Sequence, residues 1–276
     1  MLQHQIEEYI DYCENVRLMT PVTIAEKRDI LTRFVKTVDC PTLEQLTNQH
    51  INNYIKGEIA RGLKARSINC YMQQIIAFIR YSKEMGIETQ VKLPLIPKLK
   101  EEPPCRNYYD YKTIKKVIDN SDEVQSLMIS ICFDTGMRIT ELTNLKIKDF
   151  KGSKVTFIGK GRIHHESYIR PETKAKLKKY IESYDISSYL WAERGKTKPM
   201  TAYSVSMTMR RAFEANGIEG FHPHALRHSF ATDLQKKGAS IEEIQKMIGH
   251  SNTSVTECYL HSFDSLEPLF KKYQKI

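Results

Sequence analysis

Four prolines, Pro94, Pro97, Pro103 and Pro104, fall within eleven consecutive positions. Each lacks a backbone donor, and each biases the residue before it away from helical geometry. No helix and no central strand is expected to run through this stretch, which therefore predicts an extended linker over 93–106. A break there divides 276 residues into two units, as a chain of this length favours. The expected organisation is a first unit over 1–92, a second over 107–263, and a tail over 264–276. With 41% hydrophobic residues, each unit has enough apolar side chains for a core, and low-complexity or disordered classes are excluded.

Before the linker the periodicity is helical. Thr20-Pro21-Val22-Thr23-Ile24 opens a pattern continued by Ile30, Leu31, Phe34 and Val35, and Ser67 is the expected cap of a helix carrying Ile68, Tyr71, Ile75, Phe78, Ile79 and Ser82 as far as Gly86. The first unit reads as four or five helices and no strand. After the linker, helices are expected over 111–120 and 123–136, with another starting near Arg138. Lys154 to Gly161 then reads as a strand meeting a glycine-flanked turn, with its return over 166–170. Helices resume over 171–183, 204–216 and 225–237, and Ser240 with Glu243 at capping-box spacing heads a last one over 241–248. Gly217 and Gly238 stand where helix ends favour positive φ. The fold class is mainly α with one small antiparallel sheet.

The charge is unevenly placed. Residues 1–102 hold 14 Lys and Arg against 13 Asp and Glu, a net of +1, whereas 103–276 hold 28 against 20, a net of +8. Such an excess suits a polyanion, either nucleic acid or an anionic membrane surface. No uncharged run approaches the thickness of a bilayer, and Met1 to Glu8 lacks the basic-then-apolar order of a secretory signal. The six cysteines are scattered without a pair at metal-ligand spacing, which reads as free thiols in a reducing compartment. A cytoplasmic chain, associated with the nucleoid if the polyanion is DNA, is expected.

The densest chemistry lies in Phe221-His222-Pro223-His224-Ala225-Leu226-Arg227-His228. His224 and His228 stand one helical turn apart and suit a shared metal, but no Glu lies between them in the metalloprotease order and no third ligand is evident. Alternatively His224 and Arg227, three apart on one helical face, address one phosphate, the guanidinium as a fixed fork and the imidazole as a proton carrier. His228 is then a packing residue.

Upstream stands Gly136-Met137-Arg138-Ile139-Thr140-Glu141-Leu142; downstream stand Ile248-Gly249-His250-Ser251 and, nine residues after His250, Tyr259. In this order and spacing the segments resemble the tyrosine recombinases, the family of phage integrases, Xer-type resolvases and transposon integrases. The match runs over most of 105–263, with a weaker echo in the first unit, which is similar to the family's SAM-like core-binding domain. The resemblance implies an α+β catalytic domain in which Arg138, His224, Arg227 and His250 surround the nucleophile Tyr259. The family's β-hairpin lysine is matched by Lys160 in Gly159-Lys160-Gly161. The chain then departs from the family's usual Asn/Lys-Lys-Glu-Arg run, having Arg162-Ile163-His164-His165-Glu166 instead, and Arg162 or His164 is placed to reach the same phosphate.

This chemistry makes physical sense of the residue types. A tyrosine phenol stores the phosphodiester energy as a phosphotyrosyl ester. Two permanently charged guanidiniums, Arg138 and Arg227, neutralise the nonbridging oxygens, and His250 adds a hydrogen bond. By resemblance Lys160 protonates the departing 5′ oxygen, while His224 takes the tyrosine proton. No metal and no cofactor is expected. Lys64, Arg66, Asn69, Arg162 and Arg210 are candidate DNA contacts. The implied partner is double-stranded DNA with paired inverted sites, bound by a homo-tetramer or, with a paralogue, a hetero-tetramer. Residues 264–276, with Leu266, Leu269 and Phe270 at helical spacing, would by resemblance dock on a neighbouring protomer, or else pack onto their own domain. The implied function is site-specific recombination through a Holliday junction, for integration and excision or for chromosome or plasmid dimer resolution. Three other readings make different predictions: a non-catalytic DNA-binding relative forms no covalent adduct, a metal-dependent nuclease stops in EDTA, and a type IB topoisomerase relaxes supercoils without a recombination site.

Overall fold

A computed structural model describes residues 2–102, 108–159, 163–184, 186, 188–192, 198–249, 266–274 and 276. The chain forms two compact units, Met1–Pro104 and Cys105–Ile276.

The first unit is helical: α1 (Leu2–Asp11), followed by a wide turn over Tyr12–Val16, then α2 (Pro21–Thr37), α3 (Asn48–Ala60) and α4 (Ala65–Glu84). Thr20 accepts from the Thr23 amide and Pro21 takes the first helical position, where its missing N–H costs nothing. Ile6, Ile10, Leu31, Phe34, Ile51, Ile75, Phe78 and Ile79 are fully covered and form the core. The start of α4 differs from expectation. Extended Lys64, not Ser67, precedes the helix, because its carbonyl accepts from the amides of both Ser67 and Ile68 and Ala65-Arg66 extend the first turn.

The proline-rich segment is no free tether along its whole length. Leu93, Ile96 and Leu99 pack against the core of the first unit. Asn69 on α4 holds the segment: its amide donates to the Leu99 carbonyl at 2.9 Å and to Glu101 at 2.8 Å, and its oxygen accepts from the Leu99 amide at 2.9 Å. The expectation that Asn69 contacts DNA is thereby corrected, since the side chain is buried with both ends occupied. Lys64 and Arg66 are exposed.

The second unit is assembled around α6 (Glu123–Thr135), whose residues from Ser126 onward are all buried. A helix apolar on every side belongs inside a core, and α5 (Tyr111–Asp119), α8 (Pro171–Tyr184), α9 (Ala202–Ala215) and α10 (His224–Lys236) pack around it. Between the short α7 (Ile139–Thr143) and α8 lies an antiparallel meander of β1 (Phe150–Lys151), β2 (Lys154–Ile158) and β3 (His164–Tyr168). Lys154 faces Tyr168 and Phe157 faces His165 across it. The return strand starts two residues earlier than the periodicity suggests, and β1 is too short to leave a pattern of its own. The chain continues through α11 (Ile241–Ile248), capped reciprocally by Ser240 and Glu243, to α12 (Glu267–Gln274).

Helix α12 seats on its own unit: Phe270 is fully buried against Tyr168, ring centroids 5.3 Å apart, and Tyr273 donates to Glu243 at 3.0 Å. Gln274 accepts two hydrogen bonds, at 3.0 and 2.9 Å, from the buried guanidinium of Arg170. Burial of an aromatic ring and satisfaction of a buried cation hold so short a helix in place.

Candidate active site

Three motif segments converge at one end of α6. The helix ends on Gly136, left-handed at φ 63°, whose amide closes the last turn on the Cys132 carbonyl. Only glycine fits here, because a Cβ would lie 2.6 Å from the Phe230 ring in addition to the cost of that φ. The turn delivers Arg138 to the start of α7. There the Glu141 carboxylate accepts from the Arg138 backbone amide at 2.7 Å and from its guanidinium Nη1 at 2.8 Å. One acid thus fixes the backbone and side chain of the same arginine. Sequence reasoning gave Glu141 no role, although a carboxylate three residues into a helix is a capping signal.

Arg227 lies one turn into α10 and is only 2% exposed. Its Nη1 donates to the Gly136 carbonyl and its Nη2 to the Ile248 carbonyl, both at 2.7 Å. Gly136 is two residues before Arg138, and Ile248 is two residues before His250. A single guanidinium therefore ties the turn that presents Arg138 to the end of α11, where Gly249 is again left-handed at φ 61°. Burial first, and the nearby Arg138 charge second, bring the Arg227 pKa down to about 10, which leaves it charged at neutral pH.

His224 shares the Arg227 face at the start of α10 and meets the His228 ring edge-on, centroids 4.6 Å apart. Partial desolvation, then the neighbouring His228 ring and the Arg227 guanidinium, hold its pKa below the ordinary imidazole value, so the ring is neutral at neutral pH and able to accept a proton. Among the described residues no three His, Cys, Asp or Glu side chains converge as metal ligands, and no helix is long and apolar enough to cross a membrane.

The β2–β3 turn closes with the Gly159 amide donating to the Ile163 carbonyl at 2.8 Å. Its strand β3 brings His165 into the field of Glu141, Arg138 and Arg227. Lys160, Arg162, His250 and Tyr259 lie outside the described residues. Arg210 is exposed on α9 and paired with Glu214 at 2.7 Å.

Behind the site is an ion pair with no sequence signature. Asp134 accepts from the Arg170 backbone amide at 2.9 Å and faces the Arg170 Nε at 3.5 Å. Arg170 also lies over the rings of Tyr111 and Phe133. Burial drives the Asp134 pKa up to about 6, against the opposing pull of Arg170.

Residues 108–265 match the phage integrase family. The chain is 28% identical to a tyrosine recombinase of Pseudothermotoga lettingae over 98% of its own length and 100% of the relative's. It is 31% identical to tyrosine recombinase XerA of Thermococcus kodakarensis over 72% of this chain and 71% of that one. Its fold is similar to that of a lambda integrase tetramer bound to a Holliday junction, with a TM-score of 0.76 at 20% identity, covering 92% of this chain and 78% of that one.

Proposed function

This chain belongs to the phage integrase family and is a tyrosine recombinase, and we propose that it breaks and rejoins double-stranded DNA through a 3′-phosphotyrosyl ester on Tyr259. The observation that carries this reading is the bridge from Arg227 to the Gly136 and Ile248 carbonyls. It supports a site in which the segments bearing Arg138, His224, Arg227 and His250 act on one phosphate.

In the proposed reaction the Tyr259 Oη attacks phosphorus as its proton passes to neutral His224. The bond from phosphorus to the 5′ oxygen breaks, and Lys160 supplies the proton that leaving oxygen needs. Arg138 and Arg227 offset the charge that gathers on the nonbridging oxygens, with His250 as a further donor. Because the ester retains the energy of the cleaved bond, a second 5′ hydroxyl reverses the step without a nucleotide cofactor. Paired inverted sites would be held by four protomers through a Holliday junction. The lambda integrase relative, a tetramer on such a junction, favours this assembly, with four copies of this chain or a mixture with a paralogue. Arg162 and Arg210, in the positive second unit, and the exposed Lys64 and Arg66 of the first are proposed to contact the DNA backbone. Integration, excision and dimer resolution all follow from this one chemistry.

A nicked suicide duplex tests the reading. Covalent protein–DNA adduct is expected to accumulate equally with and without EDTA and with no ATP. Loss of adduct in EDTA would contradict it.

A further inference from the structure

The imidazole of His165 occupies the space between two glycines that each precede a residue of the proposed site. A Cβ built on Gly159 would lie 2.4 Å from His165 Cδ2 and 2.6 Å from its Nε2, and a Cβ on Gly249 would lie 2.6 Å from both Cε1 and Nδ1. These are opposite edges of one ring, so a ring that retreats from one backbone is driven into the other. The cross-strand neighbour Phe157 covers it, with centroids 5.7 Å apart. Gly159 does not have a positive φ, so its missing side chain serves space rather than conformation. Gly249 at φ 61° serves both. His165 stands in the stretch where this chain departs from the family's usual run after the hairpin lysine.

We propose that His165 is a positioning residue, a spacer whose width sets the distance between the β2–β3 hairpin and the end of α11, and hence the backbone from which Lys160 and His250 begin. It presupposes the roles given above to those two residues. Partial burial, and after it Arg138 and Arg227 against the opposing Glu141, lower the His165 pKa, so at neutral pH the spacer is an uncharged ring beside two guanidiniums. Displacing a proton donor by about 1 Å slows chemistry on the order of 100-fold.

The test is a double-mutant cycle of His165→Ala, Gly159→Ala and both together, measured for DNA affinity, thermal midpoint and single-turnover adduct formation. Each single variant should bind DNA within about twofold of the wild type and form adduct on the order of 100-fold more slowly. In the double variant the new methyl enters the space the ring has vacated, so adduct should form about tenfold faster than in Gly159→Ala, a strongly non-additive result. Losses that simply add, or a wild-type rate in His165→Ala, would overturn the spacer. His165→Asn, planar but shorter, is read in the same way if the alanine variant does not fold. A wild type that forms no adduct contradicts the recombinase chemistry instead. In that case the thermal midpoints decide the contact, with non-additive shifts supporting it and additive ones overturning it.

Discussion

Lysine in place of Arg227 is expected to slow strand cleavage by about 10²–10³-fold while DNA affinity stays within a few-fold of the wild type. The substitution keeps the positive charge but replaces a planar fork of five donors with a single ammonium. Arg227 spends two of its donors on the Gly136 and Ile248 carbonyls at 2.7 Å, and an ammonium cannot span both and also face a phosphate. The losses therefore have two origins, a weaker clamp on the nonbridging oxygens and a slackened join between the segments carrying Arg138 and His250. Alanine adds a stability cost of about 1–3 kcal/mol for each carbonyl left buried without a donor. Single-turnover cleavage measured beside equilibrium binding separates these effects, and an Arg227→Lys rate within tenfold of the wild type would remove the keystone role.

The largest stability effect is expected at Arg170. Truncation to alanine leaves the Asp134 carboxylate, 2% exposed, without its ion-pair partner, which costs about 3–5 kcal/mol. It also strips α12 of its anchor at Gln274. The sign of the pH dependence follows from the Asp134 pKa, raised by burial from 3.8 to about 6. The folded state holds this proton more tightly than the unfolded chain, so the group's contribution to stability is fully present below about pH 4 and is lost as pH rises through about 6. Without Arg170 the folded pKa climbs further, and the ionised carboxylate is penalised more. Urea unfolding should accordingly show a wide gap between wild type and Arg170→Ala at pH 7.5 and a narrower one at pH 5. A gap independent of pH would mean that packing alone, not the buried charge, explains the loss.

What the sequence reveals about this protein follows the range of the interactions involved. Arg138, His224 and Arg227 are legible because spacing on a helix turns linear distance into a shared face, and because a glycine before Arg138 marks a left-handed cap. The hairpin and most helices are legible for the same reason, being built from local periodicity and caps. Asn69 is not, since its partners Leu99 and Glu101 lie about thirty positions away and an amide at a helix start looks as apt for phosphate as for backbone. Asp134 and Arg170 read as surface charges until the fold buries them together. His165 has no signature either, because its role exists only where two remote glycines face its ring. The tail shows the opposite case: an apolar face at helical spacing reveals that it must dock, but only the fold shows Phe270 seated against Tyr168 of its own unit.

In the proposed reaction Tyr259 becomes covalently joined to DNA, and peptide mapping by mass spectrometry of the complex trapped on a nicked suicide duplex tests this. A nucleotide 3′-phosphate is expected on the peptide containing Tyr259, with no adduct in Tyr259→Phe despite unchanged DNA binding. An adduct on any other residue, or one that survives Tyr259→Phe, would contradict it.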